Sequence, residues 1–369
     1  MRRTSGSIES QPRLIDLFAG PGGLDVGAAW LGIPSTGIEI DDNACATRTS
    51  AGLNTVQGDV RAFAPSDFPD ANILAAGPPC QTFTVAGTGI GRRALEKIVR
   101  CAEDLAQPPL GQRLPSAFDD ERTGLVLEPL RWALSAVDSG APFEAIVLEQ
   151  VPAVLPIWQV YRTILEQHGY RVAVGILRTE EYGVPQTRRR AILIARRGNV
   201  EVKLPDPTHQ AFRRGNHGQV ALGLEPWVPI NHVVKRPTRF TIISNYGSGG
   251  DPKRRGQRRC DEPSATITGK VTRNRLLLAD GTWDRLTLHE AGALQTFPPD
   301  YPWSGSDIGQ QIGNAIPPRL AVHVLAGVLG IEVDSTRLDR LVRMPWSKSR
   351  ATNEPRVTCG SRELQTVGG

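Results

Sequence analysis

Short, almost unbroken apolar runs recur through the first half of the chain, each followed by a stretch long enough for a helix. Leu14-Ile15-Asp16-Leu17-Phe18, Gly37-Ile38-Glu39-Ile40, Ala71 to Ala76, Ala145-Ile146-Val147-Leu148 and Ala191-Ile192-Leu193-Ile194-Ala195 carry the pattern. Strands that are apolar on both faces must be covered on both faces, and the helix-sized separations supply that cover. The pattern predicts an α/β fold with a doubly wound, mostly parallel sheet. After Arg197 the texture changes. Residues 198–284 are rich in Gly, Pro, Arg and Asn, with short runs such as Arg239-Phe240-Thr241-Ile242-Ile243 and Ala265-Thr266-Ile267-Thr268. That composition fits a second, smaller, irregular β-containing domain. From Ile316 a helical run to Leu329 returns to the first domain. The expected organisation is a cofactor-binding catalytic domain over 12–196, a small domain over 197–305, a returning segment over 306–331, and loosely held tails at 1–11 and 332–369.

Hydrophobic residues make up 40% of the 369, enough for a sizeable core, which excludes a wholly disordered chain. No stretch approaches 18 uninterrupted apolar residues, and Met1-Arg2-Arg3 leads into polar residues rather than a signal-peptide core. The five cysteines (45, 80, 101, 260, 359) are scattered without a C-x-x-C pair, so neither a disulfide framework nor a zinc cage is expected. A reducing cytoplasm and a metal-free site are the matching expectations. The formal net charge is +5, but residues 197–285 alone hold 16 Lys/Arg against 8 Asp/Glu. A polyanion partner for that segment and an ordinary solvated surface both fit the charge.

Three constellations carry chemistry. Gly20-Pro21-Gly22-Gly23 joins the first strand to a helix, with Glu39 nineteen residues after Gly20. Glycines let backbone approach a ligand closely, and an acid ending the second strand can accept from ribose hydroxyls. A plain turn is the bland alternative, and NAD fits as well as S-adenosylmethionine. Gly77-Pro78-Pro79-Cys80-Gln81 follows a strand directly, so two prolines stiffen the chain before a thiol at a ligand-binding sheet edge. Cys80 is therefore either a nucleophile or one more inert buried cysteine. Glu149 ends its own strand, and Gln186-Thr187-Arg188-Arg189-Arg190 leads into another. Alternation sends Arg188 and Arg190 to one side and Arg189 to the other. An arginine entering a sheet needs an anionic or polar partner, unless the cluster only guards an edge strand.

Taken in order, the blocks resemble the DNA (cytosine-5)-methyltransferases over about residues 13–330. They are Asp16-Leu17-Phe18-Ala19-Gly20-Pro21-Gly22-Gly23, Pro79-Cys80-Gln81, Glu149-Gln150-Val151 and Gln186-x-Arg188-x-Arg190. Arg285-Leu286-Thr287 through Pro298, and Gln311-Ile312-Gly313-Asn314-Ala315, complete the set. Asp261 to Thr268 also reads like the segment entering the small domain.

The resemblance implies a Rossmann-like, S-adenosylmethionine-dependent sheet with a target-recognition domain, acting on a cytosine flipped out of a specific duplex DNA sequence. It implies Cys80 as the thiolate that adds to C6, Glu149 as the acid at N3, and Arg190 with Arg188 at O2. The cofactor would meet Phe18, Gly20, Gly22, Gly23, Glu39, Asp59, Pro79 and Asn314. Phe18 would pack against adenine, and Asp59 would accept from its amino group. The basic segment supplies the expected DNA contacts: Arg213, Arg214, Lys253, Arg254, Arg255, Arg258, Arg259, Lys270, Arg273 and Arg275. The protein would act as a monomer on DNA, away from membranes. It would be an orphan methylase or the partner of a restriction endonuclease with which it forms no stable complex.

Two departures from the family pattern stand out. The usual Glu-Asn-Val is Glu149-Gln150-Val151 here, and about two dozen residues (roughly 92–116) look inserted after the cysteine loop. The insert reads as a surface decoration with some contact to DNA. A transfer-RNA cytosine methyltransferase, a catalytically inactive DNA-binding relative and a nicotinamide oxidoreductase are the rival assignments.

Overall fold

The computed structural model describes residues 11–79, 89–111, 121–215, 221–244 and 256–351. Within them β1 (Leu14–Leu17), β2 (Ser35–Glu39), β3 (Asn54–Gln57), β4 (Ile73–Ala76), β5 (Ala145–Gln150), β6 (Tyr170–Arg178) and β7 (Arg189–Arg197) form a sheet of order β3-β2-β1-β4-β5-β7-β6. The first five pair in parallel, whereas β7 runs antiparallel to both β5 and β6. Direction matters here. A parallel β7 would begin at the opposite edge of the sheet; reversed, it starts where β5 ends, with Ala191 opposite Gln150 and Ile192 opposite Glu149.

Alternate residues of each strand feed two cores, as the period of two requires. Ile15, Leu17, Leu74, Ile146, Leu148 and Leu193 face α3 (Gly89–Leu105), α5 (Glu128–Asp138) and α6 (Leu155–Gln167), which contribute Ile98, Leu130, Trp132, Trp158 and Tyr161. Leu14, Ile73, Val147, Ile192 and Ile194 face α1 (Gly23–Leu31) and α9 (Pro318–Leu329), through Leu24, Ala28, Leu320, Val324 and Val328. Both faces are covered, so the sheet is doubly wound. α2 (Asp42–Ser50) and the short α4 (Glu121–Gly124) complete this lobe. The expected inserted segment is more than decoration: Ile98, Ala102 and Leu105 of α3 are buried in the main core.

The smaller lobe is built on an antiparallel sheet of order β11-β10-β8-β9, from β8 (Phe240–Ile243), β9 (Gln257–Arg259), β10 (Arg275–Leu278) and β11 (Trp283–Arg285). Phe240, Ile242, Leu276 and Leu286 meet Ala291 and Leu294 of α7 (Leu288–Leu294) and Ile312 of α8 (Ile308–Asn314) in its own core. The chain does not switch lobes at residue 305 in a single crossing. Phe297 and Tyr301 already pack beneath α1 with Val26 and Trp30, and Ile312 then returns to the small-lobe core. The expectation of a loose tail over 332–369 also needs correcting as far as residue 351; residues 1–10 and 352–369 lie outside the described residues. α10 (Ser335–Arg343) and α11 (Trp346–Ala351) bury Leu338, Leu341 and Trp346 in the cluster containing Trp30 and Tyr301. Trp346 Nε1 donates to the Ala51 carbonyl at 2.9 Å.

Candidate active site

The glycine turn forms a cradle at the C-terminal edge of β1. Phe18 adopts a left-handed φ of 61°, a strained conformation for a residue with a side chain, and its ring packs against the main core. Gly22 caps α1 with φ 96°, and a Cβ there would overlap Leu53; one on Gly23 would overlap the Ile316 carbonyl. Only bare backbone fits at either position. Glu39 ties the turn down: Gly20 N–H donates to its Oε2 at 2.7 Å, and the N–H groups of Ile40 and Asp41 donate to Oε1 at 2.8 Å. Oε2 keeps lone-pair capacity for a hydroxyl donor. Asp59 ends the β3 connection but is gripped by Arg61 at 2.6 Å, so a ligand amino group there competes with a partly exposed guanidinium. Pro79 is half-buried, and Asn314 is exposed while accepting from Gln310 at 3.0 Å.

Beneath this cradle lies a polar network that the sequence did not announce. Asp25 of α1 and Arg48 of α2 form a 2.6 Å ion pair with both side chains fully buried. Arg48 also donates to Thr55 Oγ1 and the Asn54 carbonyl, while Ser35 Oγ donates to Asp25. Burial, reinforced by neighbouring Asp25, pushes the Asp16 carboxyl well above the usual range. Tyr301 Oη reaches the Pro21 carbonyl at 2.5 Å, anchoring the turn from the returning segment. Each of these residues is separated in sequence from its partner. Position in space, not motif, makes them a unit.

The second half of the site lies where β5 and β7 meet. Glu149 is 7% exposed, and its Oε1 pairs with Arg190 Nε. Its Oε2 lies 3.6 Å from where a Cβ on Gly77 would stand, so the carboxylate faces the Gly77-Pro78-Pro79 loop. Gln150 locks that loop: its Nε2 donates to the Pro78 carbonyl and its Oε1 accepts from Val151 N–H. The longer amide in place of the expected Asn thus bridges two strand ends. Cys80, Lys253, Arg254 and Arg255 lie outside the described residues.

Arg188 departs from its expected place at a base. It is 3% exposed, donating through Nη1 to the Ile267 carbonyl at 2.9 Å and through Nη2 to the Gly313 carbonyl at 2.7 Å. Burial, then the neighbouring Arg190 charge, depress its guanidinium well below the usual value. It straps the small lobe and α8 to the sheet. Gln186 assists, accepting from Ile267 N–H and donating to Gln295 Oε1.

Between the lobes is a cleft of about 490 Å³, lined by Arg178, Arg189, Arg190, Arg258, Glu180 and Phe212 among others. The expected DNA contacts divide around it. Arg213, Arg214, Lys270 and Arg273 are exposed, Arg275 is half-buried, and Arg259 is already paired with Asp261 at 2.9 Å. Arg258 lies over the Phe212 ring, 5.1 Å from its centroid.

The profile described as C-5 cytosine-specific DNA methylase matches residues 12–98 and 116–329, most of the chain. The chain belongs to that family. The methylase is similar to the type II methyltransferase M1.HphI of Haemophilus parahaemolyticus, 27% identical with 85% of this chain and 86% of that one covered. M.AplI of Arthrospira platensis is also 27% identical, with 88% of each chain covered. Among solved structures, the S. pombe Dnmt2 methyltransferase shares the fold at a TM-score of 0.58 and 17% identity, over 86% of this chain and 98% of that one. The Entamoeba histolytica methyltransferase EhMeth does so at a TM-score of 0.52 and 14% identity, over 87% and 98%. The family match leaves out residues 99–115, which hold the C-terminal part of α3 and the chain after it.

Proposed function

We propose that this DNA cytosine-5 methyltransferase acts on a cytosine extruded from duplex DNA, through a covalent adduct between Cys80 and C6 of the ring. The observation that carries the proposal is the Glu149–Arg190 pair, held by antiparallel β7 against the loop leading to Cys80. C5 of cytosine is too weak a nucleophile on its own. Attack of the thiolate on C6 forms the S–C6 bond and drives the ring π electrons toward N3 and O2. Glu149 shares a proton at N3, and Arg190 donates to O2, so that C5 gains enamine character. S-adenosylmethionine, when bound, supplies the electrophilic methyl group. Loss of the C5 proton to a base then restores the C5–C6 double bond and expels the Cys80 thiolate.

The cradle fits that cofactor. Gly20, whose Cα faces open space, lets a ligand approach the turn, Glu39 Oε2 can accept from a ribose hydroxyl, and Phe18, Gly22, Gly23, Pro79 and Asn314 would complete the contacts. Asp59 would serve the adenine amino group once Arg61 yields. The basic small lobe supports duplex DNA as the polyanion, with Arg213, Arg214, Lys270, Arg273 and Arg275 as contacts beside Lys253, Arg254 and Arg255. Arg259, neutralised by Asp261, contributes less. A modification methylase acting as a monomer beside a separate endonuclease, or an orphan methylase, completes the proposal.

The test is covalent capture. A duplex carrying 5-fluorocytosine, offered with methyl donor, should form a denaturation-resistant complex with the wild-type protein and none with Cys80→Ser. A transfer RNA carrying the same base serves as the competing substrate. Capture of the RNA alone, or equal capture by Cys80→Ser, would overturn the proposal.

A further inference from the structure

The cleft between the lobes holds an acid that the methyl-transfer chemistry leaves unused. Glu180 sits in the short helical turn Thr179–Tyr182, just after β6 on the catalytic lobe, and is only 5% exposed. Among the described residues its buried Oε2 has no hydrogen-bond partner, although it belongs to a side chain lining an open cleft. The small lobe brings Arg258 to the same cleft, from β9. Its guanidinium lies over the Phe212 ring, and among the described residues its buried Nε likewise has no partner. The two groups attract each other across the space, yet no ion pair closes between them. Burial pushes the Glu180 carboxyl up, against the opposing pull of backbone hydrogen bonds at Glu180 and Arg188, and pushes the Arg258 guanidinium down.

We propose that Glu180 and Arg258 read one G·C base pair beside the extruded cytosine, so that sequence specificity is shared between the two lobes. The assignment rests on the duplex-DNA substrate proposed above. A backbone phosphate would satisfy Arg258 but not Glu180, because phosphate oxygens only accept and their charge repels a carboxylate. Glu180 requires a donor, and in the major groove the donors are exocyclic amino groups. Arg258 requires acceptors, and guanine N7 and O6 match the guanidinium fork. A G·C pair presents the cytosine N4 amino group next to guanine O6, so one base-pair edge supplies both needs. An A·T pair presents adenine N7 and thymine O4 on opposite sides of the adenine amino group, which suits a fork less well. The Phe212 ring beneath Arg258 restrains the guanidinium's position, which favours directional readout.

The experiment treats a duplex library, randomised around a central cytosine, with enzyme and S-adenosylmethionine, and reads methylation by bisulfite sequencing. Wild type, Glu180→Gln and Arg258→Gln are compared. The wild type should require G·C at one flanking position. Both variants should relax that same position, by roughly 5- to 150-fold each, while other positions keep their preferences. If a variant methylates too slowly to score, competition binding among duplexes carrying each base pair at that position gives the same comparison. Unchanged preference, relaxation at different positions in the two variants, or relaxation at an A·T position would each overturn the assignment. Failure of the wild type to methylate any duplex would instead count against the DNA substrate itself.

Discussion

Glu149 and Arg190 pair at a nearly closed strand end. Removing one partner of a fully buried pair costs about 3–5 kcal/mol; Arg190 keeps 11% of its side chain exposed, so the cost here is at the low end. Glu149→Gln preserves volume but cannot shuttle a proton to N3. Single-turnover methylation should fall by roughly 10²- to 10⁴-fold, with the melting temperature lowered by several degrees. A variant methylating at the wild-type rate would remove Glu149 from the chemistry. Gln150 acts one step back, by holding the loop. Gln150→Ala leaves the Pro78 carbonyl and the Val151 N–H without their partner, at a cost of about 1–3 kcal/mol. The expected signature is a lower kcat with little change in KM for the cofactor, and an unchanged kcat would refute a positioning role.

Among the elements, the packing of α9 against the turn at Thr179–Tyr182 sets an acid limit on the fold. His323 on α9 packs at a tilt against Tyr182, and burial, with nearby Arg319, lowers its pKa to about 3; the same two causes bring His209 to about 4. Both imidazoles are neutral when folded and bind protons more readily when unfolded. Stability is therefore complete above about pH 6.5 and declines as the pH falls toward 4, by up to about 1.4 kcal/mol per pH unit for each histidine. His323→Leu, which also removes an Nε2 without a partner among the described residues, should flatten that decline in melting temperature measured against pH. Superimposable profiles for the two proteins would disprove the mechanism.

How much of an element the sequence discloses depends on how local its cause is. β1, the glycine turn and α1 are contiguous and were legible. β6 was not, because Gly175 and alternating exposure break its apolar run. α10 offers only Leu338 and Leu341 among charged residues, so its burial depends on partners such as Trp30 that lie far away in the chain. The same holds at the site: Glu149 and Arg190 announce themselves at strand ends, whereas the Asp25–Arg48 pair and the strap formed by Arg188 exist only once the helices and lobes are assembled.

For the molecule as a whole, charge is arranged for binding, and part of it is already committed internally. Arg236 pairs with both Asp284 and Glu290 at 2.6 Å, and Arg259 pairs with Asp261, so net charge overstates what a polyanion can meet. Arg213→Gln and Arg273→Gln should each reduce the slope of log affinity against log salt by about 1, whereas Arg259→Gln should change it less. Equal slopes for all three would contradict the assignment of the binding face.

The reversed seventh strand has a consequence for how this chain can vary. β7 is locked to β6 over nine rungs and to β5 over six. Sliding it by a single residue would exchange Arg189 for Arg190 beside Glu149 and turn every apolar side chain of the strand over. Deletion or duplication of one residue between Gln186 and Ala191 should therefore be lethal to catalysis, while loops at the outer rim of the small lobe remain free to lengthen and diverge.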